Sequence, residues 1–192
     1  MNIRSAVMVI LCIMLIPMKT YAGGPTDTVT THVDRVMNIL KGTASEESKK
    51  ADIRKIAGMM FDFTVMSKAT LGKNWTKLDT DQRQEFIRLL RAMLENAYIS
   101  KILDYSDEKT VYIKERVLSD TRVEVQSKLV TKSADIPMDY RMVKTEEQWK
   151  VYDVIIEGVS LIKNYRTQFR EILSTQTPEE LLQVMRKKVG KI

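Results

Sequence analysis

The hydrophobic pattern of this chain changes period within residues 148–169, QWKVYDVIIEGVSLIKNYRTQF. Before Gly158 apolar residues alternate, which is typical of a β-strand. The alternation places Trp149, Val151 and Ile155 on one face and Tyr152, Val154 and Ile156 on the other. Because both faces are apolar, the pattern predicts a strand that is buried on both sides. After Gly158 the spacing becomes helical, which predicts a helix directly after the strand, with apolar residues at Ile162, Tyr165, Phe169, Ile172 and Leu173.

Helical spacing also predicts four helices in the first half of the chain and one at its end. They cover residues 28–40, 52–60, 63–72, 79–103 and 178–188. Asp79 with Gln82, and Thr177 with Glu180, have the spacing of a capping box, which marks where two of these helices begin. Residues 43–50 are polar and are predicted to be a connector.

Four segments with alternating apolar residues predict four strands, at 110–118, 121–132, 136–144 and 148–156. Short polar turns separate these segments, so strands that are neighbours in sequence are expected to pair antiparallel as a meander. Helices before and after a run of strands predict the α+β class. We expect the helices to pack on one face of a curved four-stranded antiparallel sheet.

The first 22 residues have the pattern of a cleavable signal peptide. Arg4 supplies a positive charge, residues 6–16 are an uninterrupted apolar run, and Ala22 suits a signal peptidase. The run is shorter than the roughly 18 residues that a membrane-spanning helix needs. We therefore expect residues 1–22 to be removed outside the cytoplasm and residues 23–192 to form a single domain.

Composition adds little to this interpretation. Residues 1–22 contain two of the 31 basic side chains, Arg4 and Lys19, and no acidic ones, so 29 basic and 25 acidic side chains remain. Interspersed charges of this kind are typical of a solvated surface, and we expect no nucleic-acid partner. The single cysteine, Cys12, lies in the predicted signal peptide. The rest of the chain must therefore be stabilised by its core and not by disulfides.

The sequence offers little material for catalysis. His32 is the only histidine, which excludes a histidine metal cluster built from this chain alone. Its place next to Val33 on the first predicted helix is more simply that of a helix-flank or surface histidine than that of a catalytic base. No glycine-rich phosphate loop is found among the seven glycines. Asp153, Glu157 and Arg166 lie around the strand–helix junction, where orienting the turn and capping the helix is favoured over acid–base chemistry. We expect no catalytic residue, no metal and no cofactor.

Two groups of motifs carry a resemblance to a known family. Residues 149–169 contain, in order, an aromatic residue, Lys-Val-Tyr-Asp, Ile-Glu-Gly-Val-Ser, Asn-Tyr-Arg and Gln-Phe. Upstream, the sequence FDF at 61–63 is followed by Met66, Leu71, Gly72, Trp75, Asp79, Gln82, Phe86 and Leu90. In this combination the chain resembles the MlaC family of periplasmic phospholipid carriers, also named toluene-tolerance proteins, over nearly all of residues 23–192.

The resemblance implies a nuclear-transport-factor-like cone in which helices and sheet enclose an apolar cavity. It also implies a periplasmic carrier that binds a phospholipid by its acyl chains. Such a carrier shuttles the lipid between an outer-membrane lipoprotein complex and an inner-membrane ABC transporter complex, and so maintains the lipid asymmetry of the outer membrane. Partners would be the phospholipid and these two complexes.

Residues that line the expected cavity are predicted from the helix stripes and from strand residues that face the helices. They are Phe63, Met66, Leu90, Leu94, Val125, Tyr140, Tyr152, Val154, Val159 and Ile162. The pattern leaves open which face of the sheet points inward. Taken singly, each aromatic or methionine is more simply a core residue.

Three other functions remain open at this point. The fold implied by the resemblance is also compatible with another lipid, such as a hopanoid. Cone-shaped folds of this kind can also host acid–base catalysis on small hydrophobic substrates, for which Asp139, Tyr140 and Asp153 would be the candidates. An envelope protein that binds an undefined ligand is the third.

Overall fold

Six α-helices and a five-stranded antiparallel sheet are present in the computed structural model, which describes residues 23–104, 108–146 and 148–190. The predicted signal peptide, 1–22, lies outside the described residues. The helices are α1 Pro25–Lys41, α2 Glu46–Met60, α3 Phe63–Leu71, α4 Thr80–Ile102, α5 Leu161–Thr175 and α6 Pro178–Val189. A short 3-10 helix, Gly72–Lys77, links α3 to α4. The predicted helices are thus confirmed, with differences at their ends.

Capping side chains explain where the helices begin. The predicted capping boxes are present: Asp79 with Gln82 starts α4, and Thr177 with Glu180 starts α6. Helix α2 begins at Glu46, within the segment predicted to be a connector. There the Ser45 hydroxyl accepts a hydrogen bond from the Ser48 amide, and two acidic residues favour the positive end of the helix dipole. Capping therefore extends α2 by more than a turn beyond its apolar stripe.

The strands are β1 Lys109–Ser119, β2 Arg122–Val130, β3 Asp135–Thr145, β4 Gln148–Ile156 and β5 Val159–Ser160, paired in chain order. The antiparallel meander of four strands is confirmed. The two-residue β5 was not predicted. It forms because Glu157 and Gly158 both adopt positive φ angles, 50° and 80°, which close a two-residue hairpin turn.

Strand β4 does not alternate as its sequence predicts. Arg141 pairs with Asp153 and Met142 pairs with Val151, so Tyr152 is an extra residue that forms a β-bulge. The bulge places Val151 and Val154 on the same face, where both belong to one apolar cluster. The prediction that these two valines lie on opposite faces was wrong, because it assumed an uninterrupted period of two.

The sheet consequently has one apolar face and one polar face. Residues of the apolar face pack on α1 and on the end of α2, in a cluster that we call the sheet cluster: Val29, Met60, Val123, Val125, Tyr140, Met142, Val151 and Val154. A second, larger cluster, the helix cluster, lies among α3, α4, α5 and α6. The polar face of the sheet carries Arg116, Glu124 and Arg141.

The buried carboxylate of Asp153 joins β4 to α5. It accepts hydrogen bonds from the Ser160 hydroxyl at 2.6 Å and from the Ile162 amide at 3.1 Å. Ser160 also caps α5 by accepting from the Lys163 amide. The structural role predicted for Asp153 at the junction is therefore confirmed.

We predict that Asp153→Ala lowers the free energy of unfolding by about 2–4 kcal/mol, because two buried donors lose a charged acceptor. Asp153→Asn keeps one acceptor oxygen and should cost less. Urea denaturation measures both. Equal and small losses in the two variants would contradict the role assigned to this carboxylate.

Candidate functional site

The apolar face of the sheet is the largest surface on which alternating apolar residues of several strands converge. Strand pairing sets Val123 opposite Met142 and Val125 opposite Tyr140, and β4 continues this face. Val125, Met142 and Val151 are fully buried. Helix α1 covers this face with Val29 and Val33. A long apolar molecule that replaced these helix side chains would therefore lie on the continuous apolar face of the sheet, which we call the apolar floor.

The ten predicted lining residues fall on two surfaces instead of one. Val125, Tyr140 and Val154 belong to the sheet cluster. Six others belong to the helix cluster or pack against it: Phe63, Met66, Leu90, Leu94, Tyr152 and Ile162. Val159 is 58% exposed on β5, which places it at the surface and apart from the other nine.

Two half-buried side chains, Phe61 and Leu161, pack against both clusters, and we call this line of contact the seam. Phe61 is held there by its backbone, because it forms a bridge with Val151 and the next amide, of Asp62, donates to the Val151 carbonyl at 2.9 Å. The ring of Phe61 also lies 5.9 Å from that of Phe63. The seam is thus the place where helix packing and sheet packing meet.

An open depression of about 370 Å³ lies at one end of the seam. Its lining combines two aromatic rings with polar side chains, namely Phe61, Asp62, Phe63, Thr64, Thr145, Glu146, Gln148 and Lys150. A second depression of about 360 Å³ lies on the surface of α1 and α2. Neither is an enclosed cavity. The apolar cavity expected from the resemblance is not shown.

Two tyrosine hydroxyls lie within the sheet cluster. Tyr140 donates to the sulfur of Met138 at 3.1 Å, and burial raises the pKa of Tyr140 far above its usual value. The Tyr112 hydroxyl is buried beside the Thr30 side chain of α1, at a geometry short of a regular hydrogen bond. Burial also raises the pKa of Tyr112. An unpaired buried hydroxyl is costly, so Tyr112 is suited to donate to a polar atom of a ligand.

The sequence did not single out Tyr112, Phe61, Leu161 or the helix residue Val29 for this site. The apolar stripe of α1 was visible in the sequence, but nothing in its spacing says which surface it covers. Likewise, an unpaired hydroxyl is defined only by the atoms around it. These residues could be found only from the packing.

The polar face of the sheet is organised around Glu124, whose side chain is 3% exposed. Arg116 and Arg141 donate to its two oxygens at 2.8 Å and 3.0 Å. Burial alone would raise the pKa of Glu124, but the hydrogen bonds from Arg141 and Arg116 and their positive charges outweigh it and lower the pKa. This carboxylate is therefore a charged structural group on the side of the sheet opposite the apolar floor.

The three residues considered for catalysis do not form one site. Asp139 and Asp153 lie on the polar face, whereas Tyr140 lies on the apolar face. Burial raises the pKa of Asp139, whose carboxylate accepts from the Ser127 amide. Asp153 is occupied by its hydrogen bonds at the β4–α5 junction. No constellation of acid and base therefore faces the apolar surface in the described residues.

Within residues 23–104, 108–146 and 148–190, no group of three or more acidic, histidine or cysteine side chains is arranged to hold a metal. In the same residues, no helix has both the length and the apolar character that crossing a membrane requires.

The lowered pKa of Glu124 predicts how stability depends on pH. The folded-state pKa of Glu124 lies below the ordinary 4.5. The contribution of this carboxylate to the free energy of unfolding is therefore complete above pH 4.5 and is lost as the pH falls through the folded-state pKa. Arg141→Met removes one of the two arginines that oppose the effect of burial on the pKa of Glu124. This pKa should therefore rise, and the free energy of unfolding should begin to fall at a higher pH than in the wild type. Near pH 7 this variant should lose about 1.5–3 kcal/mol.

Urea denaturation between about pH 7 and about pH 4 measures this effect. Arg170→Met, on the exposed side of α5, is the matched control and should change stability by less than about 0.5 kcal/mol. Parallel pH profiles for the wild type and both variants would show that Glu124 is not the group responsible.

Comparison with known proteins places the chain in a family. The family described as MlaC protein matches residues 30–187. The intermembrane phospholipid transport system binding protein MlaC of Haemophilus influenzae is 23% identical over 120 residues, 60% of this chain and little over half, 56%, of that protein. Toluene tolerance protein ttg2D of Pseudomonas putida is 23% identical over 167 residues, 82% of this chain and 77% of that protein.

The fold is also that of a solved structure. The phospholipid-binding protein from Ralstonia solanacearum, in complex with a phospholipid, superposes with a TM-score of 0.81 at 23% identity. The superposition covers 88% of this chain and 98% of that one, so the two share nearly their whole architecture. Since the family match spans most of the chain and includes both motif groups, this protein belongs to the MlaC family.

Proposed function

We propose that this protein is a periplasmic carrier that binds a phospholipid by its acyl chains. The observation that carries the proposal is the apolar floor of the sheet, which lies beneath helices in a fold shared with a protein solved in complex with a phospholipid. The names of the curated relatives describe lipid transport and toluene tolerance. They support a role in binding and transport and not in catalysis.

The energetics of lipid transfer explain why a carrier needs such a floor. A free diacyl phospholipid exposes about thirty methylene groups, and at roughly 0.8 kcal/mol each their transfer into water costs on the order of 25 kcal/mol. A carrier with an apolar interior makes the transfer nearly neutral and therefore reversible. It requires no catalytic group, only apolar contact for the tails and access to water for the headgroup.

In this proposal the acyl chains enter along the seam and separate the helix cluster from the sheet cluster. Phe61 and Leu161 are only half-buried, so moving them exposes less new surface than moving a core residue would. Nine predicted lining residues lie on the two surfaces that would part: Phe63, Met66, Leu90, Leu94, Val125, Tyr140, Tyr152, Val154 and Ile162. The exposed Val159 lies outside this tail site.

Polar groups at two depths fit the rest of a phospholipid. Thr64, Gln148 and Lys150 lie at the depression that opens at the seam, where a phosphate would remain in contact with water. The Tyr112 hydroxyl could donate to an ester oxygen deeper in the protein. Such a bond would satisfy a hydroxyl whose contact with Thr30 falls short of a regular hydrogen bond.

The proposal extends to the place and the partners of transport. The predicted signal peptide and the family together support a periplasmic location. A relative is named for an intermembrane phospholipid transport system, which supports transfer between an outer-membrane lipoprotein complex and an inner-membrane ABC transporter complex. No observation favours a hopanoid or a small-molecule enzyme over this assignment.

Native mass spectrometry of the purified protein tests lipid binding. The expected spectrum shows a mass excess of one diacyl phospholipid, and release followed by fragmentation identifies it. If the released molecule is a hopanoid, the protein carries a different lipid from the one proposed. A chain that stays without lipid after incubation with phospholipid vesicles would refute the carrier function.

The seam predicts a variant that loses lipid but keeps its fold. Phe61→Arg should lower lipid occupancy at least about tenfold, because the guanidinium would stand where the tails enter while its methylenes remain packed. Leu182→Ala is the control: Leu182 is fully buried in the helix cluster on α6. Its loss should cost about 2–5 kcal/mol of stability and leave occupancy unchanged. Normal occupancy in Phe61→Arg would place the entrance elsewhere.

A further inference from the structure

Strand β1 is the free edge of the sheet. It is 11 residues long and pairs only with β2 among the described strands. An edge strand presents a row of backbone N–H and C=O groups that can pair with another strand. Helix α1 contacts β1 through side chains of the strand: Tyr112 packs against the sheet cluster that contains Val29, and the Thr26 amide and hydroxyl both donate to the Glu115 carboxylate. These contacts leave the outer edge of the backbone uncovered by described residues.

Apolar side chains are concentrated on this strand. Ile113, Val117 and Leu118 are 59%, 73% and 38% exposed, and they are half of the six large apolar side chains exposed in the described residues. Ile113 and Leu118 both occupy register shifts, where a β-bulge turns an extra side chain outward. Edge strands are usually short or charged, which prevents them from pairing with other chains. A long edge strand with exposed apolar residues therefore indicates an interaction site.

The same strand is basic on the polar face of the sheet. The bulge at Ile113 keeps Lys109, Lys114 and Arg116 on one face, although their spacing in the sequence is uneven. The one acidic residue of β1, Glu115, points to the other face and is held by Thr26. A strand added to this edge would therefore meet positive charges on the polar side and apolar residues at the bulges.

We propose that the outer edge of β1 binds an extended segment of another protein, with acidic side chains opposite Lys109 and Lys114, as a sixth strand. Main-chain hydrogen bonds would supply affinity, and the charges would set register and partner choice. The inference concerns a surface separate from the lipid site and does not depend on it.

Charge and hydrogen bonding favour this occupant over two others. In an edge-to-edge dimer of two copies, which would pair antiparallel, a centre near Lys114 or Glu115 sets Lys114 opposite Lys114 or Arg116 of the second copy at about 5 Å, where like charges repel. A bilayer could receive the apolar residues, but hydrocarbon cannot satisfy the open edge of a sheet. An acidic strand from another protein satisfies the backbone, the charges and the apolar side chains together.

A synthetic peptide tests the proposal directly. The probe is an extended peptide of about ten residues in which glutamate alternates with valine or threonine, and its counterpart has lysine in place of glutamate. Fluorescence anisotropy should show that the acidic peptide binds at least about tenfold more tightly. Hydrogen exchange should show new protection in β1 and not in the helices.

Paired charge reversals locate the site. The double variant Lys109→Glu, Lys114→Glu should weaken binding of the acidic peptide about tenfold. Lys73→Glu with Lys77→Glu, on the exposed 3-10 helix, changes net charge equally and should leave binding unchanged. Lipid occupancy by native mass spectrometry should be the same in both double variants. This measurement separates failure of the β1-edge proposal from failure of the phospholipid-carrier proposal.

Several results would overturn the proposal. These are no binding of the acidic peptide, equal losses in the two double variants, or protection outside β1. Binding to phosphatidylglycerol vesicles that requires Lys109 and Lys114 would assign the edge to a membrane surface. A dimer in sedimentation experiments that the same reversal dissociates would assign it to a second copy.

Discussion

The junction held by Asp153 is the constraint on which the rest of the structure depends. Its carboxylate binds the Ser160 hydroxyl and the first turn of α5, and Arg141 lies 3.5 Å away on the neighbouring strand. The positive φ angles of Glu157 and Gly158 reverse the chain in two residues. Together these features set the position of α5, and with it the helix cluster, relative to the sheet.

The Asp153 junction also determines where the seam lies, next to the apolar face of the sheet. Leu161, the first residue of α5, packs against both clusters because the chain turns so tightly before it. Phe61 reaches the same line from the other side through its bridge to Val151. Among the described residues, the side chains that pack against both clusters are therefore half-buried. Such a boundary can part at lower cost than the interior of either cluster, which is what reversible lipid uptake requires.

The division of the sheet into two faces separates two kinds of interaction. On one face Arg116 and Arg141 compensate the buried charge of Glu124, and Asp153 binds the first turn of α5. On the other face valines, methionines and tyrosines form a surface that only apolar material can cover. Since β1 contributes to both faces and ends the sheet, its edge combines positive charge, exposed apolar side chains and unpaired backbone groups.

The site could be predicted only in part. Nine of the ten proposed residues are in the two apolar clusters or pack against them, because burial of large apolar residues follows from period and composition. Their division between two surfaces could not be seen, because it depends on the bulge at Tyr152 and on how the helices dock. Val159 lies at the surface, apart from the other nine, for a similar reason: β5 is only two residues long, and its partner strand, not its own pattern, determines its direction. Tyr112 became a candidate only when its surroundings were known.

The sequence by itself determined the α+β class, the antiparallel meander, the capped starts of α4 and α6 and the exclusion of a histidine metal cluster. These are local properties, set by side-chain period, capping chemistry and residue inventory. Tertiary structure alone decided which face of the sheet is apolar, where the two clusters meet, how Glu124 is compensated and which strand is left at the edge. Those features depend on contacts between residues far apart in the chain, and a single bulge is enough to move a side chain from one face of a strand to the other.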